Sequence, residues 1–303
     1  MKKVLITGMS GLLGGNIAYL LKDKYDIVGV DLLQSNITGA KLYIADILKE
    51  GCIEDIILNE KPDIIVHCMA MVNVDACEEN EELADKMNAK ITGEIVRCAN
   101  KINSKVIYIS TDAVFDGEDE KLYTEEDTPN PVSVYAMTKL NGEKLVLNVE
   151  RNVVLRTNIY GYNIIDKNSF GEWVLSSLYD DQTLNMFTDV MYSPILVNDL
   201  SEIIDKIIEK NVSGLFHACA TGAISKYNFG ILIKKIFGIE LGAIVPCSVN
   251  DFNFKAKRTK NMSMDNSTLC NILGISIPNP EQSINKFKKL YDENYNLLLK
   301  KLR

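Results

Sequence analysis

Val4-Leu5-Ile6-Thr7-Gly8-Met9-Ser10-Gly11-Leu12-Leu13-Gly14 decides the fold of this chain. A short β-rich run ends in glycines, and a helical pattern, Leu12–Lys22, starts at once. Phosphate binding needs backbone N–H groups at a helix N-terminus with no Cβ in the way. Gly8 allows the sharp turn, Gly11 the close approach of a pyrophosphate, and Gly14 the packing of helix on strand, with Ser10, Leu12 and Leu13 in the same loop. The spacing is G-x-x-G-x-x-G, and its place between strand and helix gives it weight.

The rhythm continues outward from that loop. Strands are expected at Asp26–Val30, Leu42–Ala45, Asp63–His67, Lys105–Ser110 and Asn152–Arg156. Helices are expected at Ile53–Leu58, Glu79–Lys101 and Val134–Val149. Apolar strands separated by helices imply a parallel sheet covered on both faces. Right-handed crossovers then give an α/β, doubly wound Rossmann sheet. Past residue 157 the pattern changes. Asn163–Lys167 and Tyr179–Gln182 read as loops, and Val197–Lys210 as a helix. Leu215–Ala218 reads as a strand returning to the sheet. Ile224–Phe237, Asn266–Leu273 and Glu281–Leu302 read as helices. The expected division is a dinucleotide-binding domain, 1–156 plus about 198–219, and a smaller α/β substrate-binding lobe, about 157–197 plus 220–303.

Bulk properties narrow the functional classes. The chain has 303 residues, 47% hydrophobic and 24% charged, the balance of a globular enzyme with a core of ordinary size. A net charge of −8 disfavours nucleic acid and anionic membranes as partners. Seven cysteines without a C-x-x-C read as free thiols in a reducing, cytoplasmic compartment. Only His67 and His217 are present, with no zinc spacing, so no metal is expected. No apolar run is long enough for a signal peptide or a membrane span.

Several residues carry candidate chemistry. Asp31 ends the second strand, where a carboxylate can accept hydrogen bonds from adenosine ribose hydroxyls and repel a 2′-phosphate. Leu32, Leu33 and Gln34 supply no opposing cation, so NAD is favoured, with NADP possible. Asp46 and Ile47 flank an adenine or cap a helix. Cys68, Met69 and Ala70 follow the fourth strand, where a cofactor can pass. His67 reads as a buried sheet histidine in preference to a base. Tyr135 and Lys139 stand one helical turn apart and share a face. The Lys139 ammonium is expected to lower the Tyr135 pKa, making the tyrosine a proton donor or acceptor near neutrality. Lys139 is also positioned to hold a nicotinamide ribose. Thr111, with Ser110 as the near alternative, closes the fifth strand with a hydroxyl suited to a substrate carbonyl. Trp173 and Phe170 either wall a pocket or form helix core. Lys255, Lys257, Arg258 and Lys260 read as a diphosphate clamp or as a solvated loop. The apolar stripe of the last helix packs on its own lobe or forms a homodimer contact.

These segments resemble the extended short-chain dehydrogenase/reductase superfamily, and within it the dTDP-4-dehydrorhamnose reductases. The resemblance rests on Ser110-Thr111-Asp112-Ala113-Val114-Phe115-Asp116-Gly117, on Pro131 leading into Tyr135 and Thr138-Lys139-Leu140-Asn141-Gly142-Glu143, and on Arg156-Thr157 with Tyr160-Gly161. Asn88 matches a superfamily helix asparagine on the cofactor side. Tyr192–Leu200 matches the return to the sheet. The likeness covers nearly the whole chain and weakens after residue 220. It implies a nicotinamide cofactor and reduction of the C4 ketone of a 4-keto-6-deoxy nucleotide sugar. Hydride would come from the nicotinamide and the proton from Tyr135, with Thr111, Tyr135 and Lys139 catalytic. Asp112, Val114, Phe115, Asn158, Trp173 and Arg258 are the implied substrate-side residues. His67-Cys68-Met69-Ala70 departs from the family's alanine-rich stretch. Asn158 is similar to an epimerase and dehydratase diphosphate contact, or forms a turn. The scaffold also serves 4-epimerases, dehydratases and a non-catalytic regulatory subunit.

Overall fold

A computed structural model describes all 303 residues. Its main sheet holds β1 (Lys3–Thr7), β2 (Asp26–Asp31), β3 (Ala40–Ile44), β4 (Ile64–His67), β5 (Lys105–Ile109), β6 (Val153–Arg156) and β7 (Gly214–His217). The order is β7-β6-β5-β4-β1-β2-β3, and every pairing is parallel. The central strands are buried along their whole length, which is why their sequences are continuously apolar. The order reverses between β1 and β4. That switch point opens a crevice beyond the C-terminal strand ends, where Gly8, Asp31, Cys68 and Ser110 all lie.

One face is covered by the helices Leu12–Leu21 and Val197–Lys210 and the other by Cys52–Glu60 and Ile91–Lys101, each through a continuous apolar cluster. Leu269, Leu273 and Ile277 join the first cluster. The helix Ser267–Leu273 therefore belongs with the sheet, although 220–303 was expected in the lobe. The lobe has its own aromatic core around Tyr160, Tyr192, Phe229 and Phe287. No helix is long and apolar enough to cross a membrane.

Asparagines break two helices expected to be continuous. Asn80 is non-helical (φ −144°) and its side chain accepts from Leu83 N–H, ending Val74–Glu79 and starting Glu81–Asp85. A π-helical turn, Lys86–Lys90, then precedes Ile91–Lys101. Asn294, left-handed at φ 58°, divides the last helix into Pro280–Asp292 and Tyr295–Lys300. Helix Phe170–Tyr179 is started by a Ser169–Glu172 capping box, a signal present in the sequence. The parallel pair Thr183–Phe187 and Ala243–Cys247 was not anticipated.

Candidate active site

The glycine loop has the shape of a phosphate cradle. Gly8 sits at φ +73°, and a Cβ there would crowd the Met69 backbone nitrogen at 3.1 Å. A Cβ on Gly14 would lie 2.2 Å from the Gly8 carbonyl oxygen, which only glycine avoids. Gly11 caps the following helix with no side chain, and no acid lies in the first turn, so its first N–H groups face no competing acceptor. Ser10 is buried: its N–H donates to Asp31 Oδ2 (3.0 Å) and its hydroxyl to the Leu33 carbonyl (2.7 Å). It ties the loop to β2, with both its N–H and its hydroxyl engaged. Leu13 likewise gives its side chain to the core. Asp31 takes N–H groups from Ser10 and Leu33, leaving lone pairs toward the crevice.

Other cofactor-side residues divide. Cys68, Met69 and Ala70 are half-buried at the β4 end. Asp46 accepts the Leu48 N–H in a turn that is not a helix cap, and Ile47 is buried in the sheet core. An adenine-flanking role for the Ile47 side chain is thereby corrected. Asn88 is also corrected: its amide accepts from Met71 N–H (2.8 Å) and donates to Met71 O and Thr138 Oγ1. Its polar atoms lock the loop after β4 to the Tyr135 helix and do not stand free for a cofactor. His67 is wholly buried, with both ring nitrogens on Thr7 and Thr92 hydroxyls, and burial drives its pKa down to about 3. It is neutral and faces no crevice.

At the β5 end, Ser110 donates to Glu143, which is held by the Arg156 guanidinium at 2.7 Å in a fully buried pair. That spends Ser110 and leaves Thr111 as the strand-end hydroxyl. Thr111 caps the short 3₁₀ turn Asp112–Val114 and donates to Asp112 Oδ1 at 3.2 Å. Asn158 donates to Asp112 Oδ2 at 2.7 Å. The Asn158 side chain therefore reaches into the site. Tyr135 starts its helix beside Thr111. Burial pushes its hydroxyl up to about 12, with Thr111 pulling the other way. Lys139 is 2% exposed; its Nζ donates to the Ile109 carbonyl (2.7 Å) over the Tyr108 ring. Burial lowers Lys139 to about 7. A Lys139-lowered Tyr135 is thus corrected. The ammonium points down to the end of β5, and desolvation of the phenol dominates.

On the substrate side, Val114 and Phe115 are corrected as ligand walls. Both are fully buried in a small core, with Phe115 stacked on Tyr123 at 4.2 Å. Trp173 is 38% exposed and stacks on Phe170. Arg258 pairs with Asp75 at 2.7 Å, and one guanidinium nitrogen, Nη1, is buried without a partner. The lysines of the basic run are exposed, Lys255 and Lys257 forming surface ion pairs with Glu79 and Glu118, and only Arg258, on Asp75, is partly buried. Lys257, Arg258 and Lys260 line an open cavity of about 460 Å³ with Asp116, Phe252 and Phe254. Sequence reasoning missed Lys226, the first residue of helix Lys226–Phe237, whose Nζ lies 3.4 Å from the Tyr192 ring centroid. A single lysine opening a helix carries no signal of its own.

Residues 1–292 match the family model described as RmlD substrate binding domain. The chain belongs to that family. It is 29% identical to a dTDP-4-dehydrorhamnose reductase structure from Clostridium acetobutylicum, covering 96% of this chain and 99% of that one with a TM-score of 0.83. A Bacillus anthracis dTDP-4-dehydrorhamnose reductase in complex with NADP aligns at 26% identity and TM-score 0.84, over 95% and 99% of the two chains. The methionine adenosyltransferase 2 subunit beta of Rattus norvegicus is 30% identical over 293 residues, 92% of this chain and 84% of its own.

Proposed function

We propose that this protein is a nicotinamide-dependent reductase of a 4-keto-6-deoxy nucleotide sugar. One observation carries the reading: two hydroxyls, Thr111 and Tyr135, meet at the end of β5, beside the crevice onto which a side-chain-free phosphate cradle opens. Reductases of this chemistry among the relatives, one of them bound to NADP, support it.

The residues fit the cofactor. Backbone N–H groups of Leu12 to Gly14 suit a pyrophosphate, Asp31 an adenosine ribose, the Cys68–Ala70 backbone the path between, and Lys139 the nicotinamide ribose. When bound, the nicotinamide supplies the hydride. Tyr135 polarises the sugar ketone by donating a hydrogen bond to its oxygen, and Thr111 joins it when its hydroxyl proton turns from Asp112 Oδ1 to the ketone. A phenol held near 12 keeps its proton throughout the physiological range and gives it up only to an oxygen that is gaining negative charge. Glu143 and Arg156 fix the end of β5 from below. The nucleoside diphosphate end fits the cavity lined by Phe252, Phe254, Lys257 and Arg258, which offers aromatic faces and cationic groups. Asp31, with no cation beside it, favours NAD over NADP.

The test is oxidation of NADH and of NADPH against a panel of 4-keto-6-deoxy nucleotide sugars, with Tyr135→Phe alongside. Turnover lost about 10²- to 10⁴-fold in the variant is the expected result. A non-catalytic regulatory reading draws support from the rat beta subunit. Absence of turnover with every sugar, together with capture of an adenosyltransferase partner, would favour it. Tightly retained cofactor without net oxidation would favour an epimerase.

A further inference from the structure

The six-residue helix Val74–Glu79 is bonded to both the dinucleotide-binding half and the lobe. Asn73 starts it by accepting the Ala76 N–H at 3.0 Å. Toward the sheet, Glu78 Oε1 accepts the Val134 N–H at 2.8 Å. Val134 is the first residue of the helix that carries Tyr135, and that helix has no acid in its own first turn. Glu78 therefore supplies, from another element, the carboxylate that a helix N-terminus favours. A second brace lies one turn on. Cys77 is buried with its Sγ on the Met71 carbonyl (3.5 Å), and Asn88 joins Met71 to Thr138. The short helix is thus held to the Tyr135 helix at residues 134 and 138, on either side of the tyrosine.

Toward the lobe, Asp75 spends both of its oxygens. Oδ1 accepts the Ala256 N–H at 2.9 Å, and Oδ2 accepts from the Arg258 guanidinium at 2.7 Å. Glu79 pairs with Lys255. Ala256 and Arg258 line the open cavity. Asp75 neighbours both glutamates on the helix surface, three and four residues away, so these contacts lie close together. An exposed ion pair such as Lys255–Glu79 adds little stability. Carboxylates on backbone N–H groups of two separate elements fix geometry instead. We propose that Val74–Glu79 is a strut that positions Tyr135. Glu78 sets the start of the tyrosine's helix, and Asp75 ties that setting to the cavity wall at residues 256–258. Both are positioning residues that act through Tyr135. Their effect on turnover rests on the reductase reading above; the mechanical coupling does not.

The experiment compares wild type with Glu78→Ala, Glu78→Gln, Asp75→Ala and the double variant Asp75→Ala/Glu78→Ala. Hydrogen exchange by mass spectrometry follows residues 131–139, steady-state kinetics on dTDP-4-dehydrorhamnose gives kcat and KM, and fluorescence titration gives NADH affinity. Glu78→Ala should speed exchange in the first turn of the Tyr135 helix about fivefold or more and lower kcat about tenfold, with KM and NADH affinity within about twofold. Glu78→Gln keeps an acceptor oxygen and should recover most of both. Asp75→Ala removes no hydrogen bond to that helix, yet should speed exchange at residues 133–137 and lower kcat. The double variant should fall no further in kcat than the lower of the two single variants. Unchanged exchange at 133–137 in Asp75→Ala, or kcat losses that multiply in the double variant, would overturn the strut. A Glu78→Ala protein that unfolds more easily but keeps its kcat would reduce Glu78 to a structural cap and overturn the positioning role. Absence of wild-type turnover on every 4-keto-6-deoxy sugar tried would sink the reductase reading and the catalytic half of this inference, while the exchange result still decides the coupling.

Discussion

Replacing Lys139 by methionine should make the cofactor-free protein more resistant to unfolding at neutral pH than at alkaline pH, relative to wild type. Lys139 is almost completely buried, and burial brings it from 10.5 to about 7. Between those values the unfolded chain holds a proton at this lysine that the folded chain has released. Wild-type stability therefore rises with pH across that window, by up to about 1.4 kcal/mol per unit. At pH 7 the wild-type fold carries an ionisation cost of about 4 kcal/mol, which shrinks to about 2 kcal/mol at pH 9 and vanishes above the unfolded pKa. Methionine keeps the length and apolar stem without a titrating group. It forfeits the hydrogen bond to the Ile109 carbonyl and the contact with the Tyr108 ring, which shifts the variant's baseline by an amount independent of pH. The difference in unfolding free energy, wild type minus variant, should thus increase by about 2 kcal/mol from pH 7 to pH 9. Urea unfolding followed by circular dichroism at both pH values reads it directly. A difference that stays flat, within about 0.5 kcal/mol, would show that Lys139 is charged in the fold throughout, and the reasoning from its burial would fail.

Other sites give sharper or simpler outcomes. Gly14→Ala places a methyl 2.2 Å from the Gly8 carbonyl oxygen, so the cradle must open; stability should fall by about 1–3 kcal/mol and NADH affinity, by fluorescence titration, at least about tenfold. Glu143→Gln leaves the Arg156 guanidinium without its buried counter-charge; the loss should be about 3–5 kcal/mol by urea unfolding, with Ser110 and the β5 end loosened. Asp31→Asn removes the charge proposed to face the adenosine ribose while keeping an acceptor for Ser10 N–H; the ratio of kcat/KM for NADPH over NADH should rise about tenfold, a change of about 1.4 kcal/mol.

The Rossmann half is legible because its signals are local and repeated. Continuously apolar strands can only be buried on both faces, and a glycine turn between strand and helix has few other uses. The tyrosine and lysine on one helix turn are equally local. What the helix spacing does not contain is the third dimension around them. It places Tyr135 and Lys139 on one face, yet the direction of the Lys139 ammonium depends on the Ile109 carbonyl, on another element. The expected effect of one on the other therefore does not follow from their shared face. The same gap separates Val114 and Phe115 from the wall they were expected to form: motif proximity to Thr111 was visible, and the stacking on Tyr123 was not.

The lobe is harder to read for a different physical reason. Several of its strands are two residues long, Met191–Tyr192, Ile224–Ser225 and Asn261–Met262 among them, and exist only because distant segments pair. No periodicity forms in two residues. Its aromatic core is assembled from Tyr160, Phe229 and Phe287, and the same packing carries Tyr192 and Phe170 to the ammonium of Lys226. A lysine that opens a helix reads as surface charge until that cage is seen. On the proposed reading, the reacting end of the cleft comes from one stretch of chain, Thr111 to Lys139. The opposing face is contributed residue by residue from separate segments. Discrimination between sugars would then reside in the half of the molecule whose contacts are almost all long-range. Substitutions in that half should alter which ketone is reduced before they alter whether reduction occurs.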